Sequence, residues 1–232
     1  MRQLVRSICS LHVCQTQRPV GSVVMLRFRY LKEDVMTSPG SPYRLRSRPL
    51  RRAVLRRAAV AFAGHGWNVV PGSGLAGNRL DCGQPGCPTV ALHPVRPDWE
   101  AVACHDPRLV RTWWDVLPYG ILLATGRTVD VLEVPAALGR LAAGRVAGPI
   151  AATPHGSWLF LVRPGQRLRP ELDSQLDVVL HGRGSWVPLP PTQLPEGRMR
   201  WEIPPDEYDW WLPDAYLVQA AILAGRRRQL AA

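Results

Sequence analysis

The stretch TGRTVDVLEVPAALG, Thr125–Gly139, sets two carboxylates, Asp130 and Glu133, in a short run otherwise made of Val and Leu. Aliphatic residues held between Gly126 and Pro135 predict a buried strand, and AALGRLAAGRV after it predicts a short helix. Side chains alternate between the two faces of a strand. Asp130 and Glu133 are three apart, so one strand sends them to opposite sides.

Outward from this strand the chain is punctuated by Gly and Pro. GILLAT precedes it, joined by a tight turn at Gly126 and Arg127. GPIAAT, SWLFLV, LDVVLHG, SWVPLP and MRWEI follow as further strands, and WNVVP, Trp67–Pro71, as an earlier one. From Arg51 a helix is expected, with Leu55, Ala58, Ala59 and Phe62 at helical spacing and Gly64-His65-Gly66 as its stop. A second helix starts at Pro107, capped by His105 or Asp106, with Leu109, Val110, Trp113, Trp114 and Leu117 on one face. DAYLVQAAILAGRRRQL closes the chain as a helix with Arg226, Arg227 and Arg228 in its last turn. Helices, then mostly strands, then a helix describe an α+β domain. Seven of the nine tryptophans, Trp67, Trp113, Trp114, Trp186, Trp201, Trp210 and Trp211, read as packing residues rather than an ordered stacking track.

The formal charge of +11 is not spread over the chain. Residues 1–60 hold 13 Lys and Arg against 2 Asp and Glu, and the remainder holds 16 against 16. The surplus therefore describes a basic arm, not a basic groove. Seven arginines, Arg44, Arg46, Arg48, Arg51, Arg52, Arg56 and Arg57, are the expected contacts for DNA or RNA phosphates. Residues 1–50, with the segment TSPGSPYRLRSRP, read as a flexible basic extension.

Five cysteines in no secreted pattern favour a reducing compartment. With no apolar run of membrane-spanning length and no signal-peptide pattern, a soluble, cytoplasmic chain is expected. Cys82, Cys87 and His93 suit a small zinc loop, because thiolates and an imidazole can close part of a tetrahedron. A fourth ligand is sought in Cys104 or His105.

Several pieces in order resemble the N-terminal domain of bifunctional DNA primase/polymerases, a branch of the archaeo-eukaryotic primase superfamily. They are AVAFAGHGWNVVPG at 59–72, CGQPGCPTVALHP at 82–94, VRTWW at 110–114, GILLATGRTVDVLEVP at 120–135, GSWLFLV at 156–162, LDVVLHGRGSWVPLPPT at 176–192 and RMRWEIPP at 198–205. The resemblance implies a primase/polymerase-like core over about 51–214, with a recognition-motif-like sheet flanked by helices, leaving 215–232 as a C-terminal helix. It also implies metal-dependent nucleotidyl transfer, with magnesium or manganese needed if the enzyme is active.

The family's motifs are incompletely met. Two acids at i and i+2 on one strand should face the same metals; Glu133 matches the first, and the second position is Pro135. The place of the phosphate-contacting histidine is Trp158, and His155 is three residues off register, which on a strand predicts the wrong face. Asp177 is the candidate for the last acid, although the family's acid sits nearer the following glycine, and His181 lies between that strand and Gly182. In the zinc loop, Leu80 stands where relatives carry a further cysteine. Glu133, Asp177 and His181 are thus the residual catalytic candidates. Three functions follow: a degenerate domain that binds nucleotide or nucleic acid, an active enzyme with a rearranged metal site, or a protein-interaction module retaining only the fold.

Overall fold

The computed structural model describes residues 43–173 and 177–231. The expected extension up to residue 42 lies outside the described residues, as do the side chains of Arg44 and Arg46.

The first helix, α1 (Tyr43–Gly64), buries Leu55, Ala59, Phe62 and Ala63 along one stripe. It begins eight residues before the expected Arg51 and runs through Pro49. Proline removes a single helical hydrogen bond, and the rest of the helix carries on across it. Then come β1 (Val69–Gly72), a small hairpin of β2 (Gly74–Ala76) and β3 (Arg79–Asp81), α2 (Trp99–Val102) and α3 (Pro107–Val116). The α3 start is as expected: Asp106 accepts a hydrogen bond from the Arg108 N–H at 2.8 Å, with Pro107 in the first turn.

After α3 the chain forms β4 (Gly120–Ala124), β5 (Asp130–Pro135), α4 (Ala136–Ala143), β6 (Ile150–Ala152), β7 (Ser157–Val162), α5 (Pro170–Asp173) and β8 (Val179–His181). It ends with β9 (Trp186–Pro188), β10 (Gln193–Leu194), β11 (Gly197–Arg198), β12 (Arg200–Ile203), a 3-10 turn at Pro205–Tyr208 and α6 (Ala215–Ala231).

Two antiparallel sheets organise these elements. One has the order β1-β4-β9 and the other β12-β6-β7-β5-β8. β4 and β5 read as the arms of one tight hairpin, yet they belong to different sheets. Gly126 turns the chain, with its N–H donating to Val129 O at 2.9 Å, and long-range partners then claim each strand. β4 takes β1 and β9, whereas β5 takes β7 and β8.

The five-stranded sheet is apolar on both faces. Val131, Ala151, Leu159 and Leu161 join a core shared with α1, α3 and the three-stranded sheet. Leu132, Val134, Phe160 and Trp158 join a second core closed by α4 and α6, to which α6 gives Ala215, Val218 and Ile222. α6 is thereby part of the packed body. Gly139 of α4 lies against Trp158, where an added Cβ would stand 2.9 Å from the ring.

Candidate functional site

Strand register decides which side chains can meet. In β5, Glu133 stands opposite Leu159 of β7 and Val179 of β8, while Pro135 stands opposite Ser157 and Val131 opposite His181. Residues directly opposite share a face, so Glu133, Ser157, Val179 and His181 lie on the side of the first core. From its diagonal position His181 reaches Glu133, with Nε2 2.9 Å from Oε2. Its other nitrogen, Nδ1, lies 3.1 Å from Ser185 Oγ. In the tautomer that donates from Nε2, Nδ1 accepts the Ser185 hydroxyl proton.

The His181 hydrogen bond holds the Glu133 carboxyl below the usual carboxylate range, with Ser157 adding to the effect and burial opposing it. A carboxyl so depressed adds stability above its unfolded pKa, and this is lost as pH falls through the folded value.

The loop from His181 to Ser185 is clamped to the end of β4. Thr125 Oγ1 donates to Gly182 O at 2.5 Å and the Thr125 N–H to Ser185 O at 3.0 Å. Gly126 approaches Arg183 so closely that a Cβ there would fall 2.2 Å from Arg183 Cα.

The other expected residues divide. Asp130 projects to the opposite face from Glu133, as alternation predicts, and pairs in register with Val162. It is 3% exposed; Oδ2 accepts from the Gly165 N–H at 2.9 Å, and Oδ1 has no partner. Burial pushes its carboxyl up, against backbone N–H groups that pull it down. Asp130 therefore holds a loop. Asp177 is exposed in the turn before β8, and among the described residues its carboxylate does not converge with Glu133 and His181 into a group able to hold a metal ion.

Trp158 points into the second core, away from Glu133. The odd-numbered positions of this segment, Ser157 and Leu159, are the ones on the Glu133 face. His155 sits in the turn before β7, where strand alternation no longer assigns a face, and its charge is the smallest of the influences lowering the Glu133 pKa. His155 Nε2 also stands 3.6 Å from Glu196 Oε2. The Pro135–Ser157 pairing puts Ser157, not Trp158, on the Glu133 face; Ser185, in the loop after β8, reaches the pair only through His181 and carried no sequence signal.

Cys82, Cys87 and His93 do converge, with one ligand atom of each within 4.8 Å of the others. Cys87 Sγ is 3.5 Å from His93 Nε2, and His93 Nδ1 is 2.7 Å from Ala91 O. A proton on Nδ1 donated to that carbonyl leaves the Nε2 lone pair directed at the thiols, which is the tautomer a metal requires. The Thr89 backbone holds the Cys87 thiol below its ordinary range, and burial pushes Cys82 up. These three side chains form a group that can hold a metal ion. Cys104 is not part of it: it is buried in the first core, bridged to Val69. His105 is turned to Asn68, with Nδ1 3.2 Å from Oδ1.

The basic helix is also partly spent on the fold. Arg51 donates to Leu75 O at 2.8 Å, Arg52 to Asp115 O at 3.1 Å, and Arg56 pairs with the Asp115 carboxylate. Arg48 and Arg57 are exposed. No described helix is long and apolar enough to cross a membrane.

The family model for the N-terminal domain of bifunctional DNA primase/polymerases matches residues 59–211. The chain belongs to this family. The matched span runs from the middle of α1 to just before α6 and contains both sheets, the thiol–imidazole group and the Glu133–His181 pair. Neither a curated protein nor a solved structure matches the chain.

Proposed function

We propose that this primase/polymerase-like domain has lost polymerisation chemistry and binds nucleotide or nucleic acid at the Glu133–His181 face. The supporting observation is the company Glu133 keeps. In-line nucleotidyl transfer needs carboxylates that share two metal ions. Opposite Glu133 stand Val179 and Leu159, two residues on stands Pro135, and its close polar neighbours are an imidazole and a hydroxyl. This donor set does not fit a pair of divalent ions. It does fit hydrogen bonding to a polar ligand whose acceptors take over the His181 N–H and the serine O–H groups from their internal partners Glu133 and His181.

Primer extension in magnesium or manganese is therefore expected to be absent. A nucleoside triphosphate at 100 times its Kd should raise Tm by roughly 5–10 °C, from about 2.7 kcal/mol of linkage. His181→Ala should abolish that shift. Template-dependent extension lost in Glu133→Ala would instead establish an active enzyme with a rearranged site. The absence of any nucleotide or nucleic-acid binding would leave an interaction module.

Nucleic-acid contact through α1 is proposed for Arg48 and Arg57, the exposed members of the run with described side chains. Each lost phosphate contact lowers the slope of log affinity on log salt by ~0.9 for a duplex. Alanine at both positions should flatten the slope, whereas Arg52→Ala should leave it unchanged, as fluorescence anisotropy over a salt series would register. Equal slopes for all three chains would remove α1 from the interface.

A further inference from the structure

A cleft of about 320 Å³ opens between α1, β12 and the segments on either side of β12, and none of the residues around Glu133 lines it. Its walls include Phe62, Trp201 and Trp210, with Pro190 and Pro191 beside them and Asp206 also in the lining. The rings form a box rather than a stack. Phe62 meets Trp201 at 6.1 Å and 75°, and Trp210 at 6.1 Å and 65°. Trp210 is held there firmly. His65 stacks on it at 3.7 Å and 6°, and the backbone at Asp209 and Trp210 adopts φ of 49° and 63°. Two successive non-glycine residues in the left-handed region are costly, and such strain persists where the surroundings over-determine it, often at ligand clamps.

We propose that this cleft docks an arginine side chain carried on a proline-flanked segment of a partner protein. Aromatic faces carry negative charge density that attracts a cation. The planar guanidinium can lie against an indole while its N–H groups reach a carboxylate. Asp206 is exposed and forms no ion pair among the described residues, so the charge a bound arginine needs is present and uncommitted. Proline-rich segments dock in aromatic-lined grooves because their extended form is already set. The inference is independent of any nucleotide role.

The test uses a labelled acetylated peptide, PPRPP, its citrulline counterpart and the full chain, read by fluorescence anisotropy. The arginine peptide is expected to bind about tenfold more tightly than the citrulline peptide, which keeps the shape and loses the charge. Asp206→Asn should remove most of that difference and leave Tm unchanged, since the side chain is exposed. Trp210→Ala should abolish binding; because Trp210 also packs on Phe62 and Trp67, the Asp206 variant carries the decision if that chain is unstable. Equal affinity for the two peptides, or no binding at millimolar peptide, would overturn the proposal. So would displacement of the peptide by single-stranded oligothymidylate, which would make the cleft a base-stacking surface.

Discussion

Gly126→Ala is expected to cost about 4 kcal/mol or more, among the largest effects a single methyl can have. Two penalties add. Gly126 has φ of 94°, where an L side chain is strained, and its Cβ would lie 2.2 Å from Arg183 Cα and 2.4 Å from Arg183 N. The obstacle is backbone, clamped by Thr125, and cannot swing aside as a flexible side chain could. Gly66→Ala is the control: its φ is 82°, but nothing lies within 4 Å of the added carbon. It should cost only the conformational penalty, on the order of 1–2 kcal/mol. Urea unfolding of both chains separates the terms. Near-equal losses would show that the Gly126–Arg183 approach relaxes freely. A stable but loosened Gly126→Ala chain should also lose nucleotide-dependent stabilisation, because the displaced loop carries Ser185 and follows His181.

The strand holding Asp130 and Glu133 was legible because it is short, aliphatic and bounded by turn residues. Its two acids could be assigned to opposite faces by counting alone, and the register shows them there. Sheet membership was not legible in the same way. The Gly126 turn is local, but β4 is paired by β9, some sixty residues on. Nothing within Gly120–Pro135 encodes that preference. The parity error at Trp158 has a similar source. Alternation gives relative faces within one strand, whereas the absolute face depends on a cross-strand partner. The apolar spacing of Leu55, Ala58, Ala59 and Phe62 placed the helix from Arg51 but could not show its first two turns, which run from Tyr43 through Pro49. The trio of Cys82, Cys87 and His93 was legible as residue types, yet spacing could not choose between Cys104 and His105 as a fourth ligand; burial in the core removes Cys104, and the Asn68 contact turns His105 elsewhere.

If Cys82, Cys87 and His93 bind zinc, its removal is expected to release the loop between β3 and α2 without unfolding the domain. The trio is held in a segment with little regular structure, so ordering there rests on the ligands and a few hydrogen bonds, such as Gln84 Nε2 to Val95 O at 2.7 Å and the Gly83 N–H to Asp81 Oδ1 at 2.7 Å. No buried member of the two main cores comes from this loop, and only Leu92 of it packs against the first. A metal bound here therefore stabilises a local opening more than the global transition. Purified chain should contain about one zinc, with a water or other exchangeable group completing the tetrahedron that three protein ligands leave open. Chelation should loosen the backbone around Arg79, whose exposed side chain lies just before the loop, and trypsin cleavage after it should accelerate by about tenfold for each ~1.4 kcal/mol of lost local stability. Cys87→Ser and His93→Ala should reproduce both the zinc loss and the cleavage, whereas Cys104→Ser should retain the metal and instead lower Tm through its place in the core. Retention of full zinc by Cys87→Ser, or unchanged cleavage after chelation, would show that the loop is ordered by its own hydrogen bonds and that the thiol–imidazole convergence serves no metal.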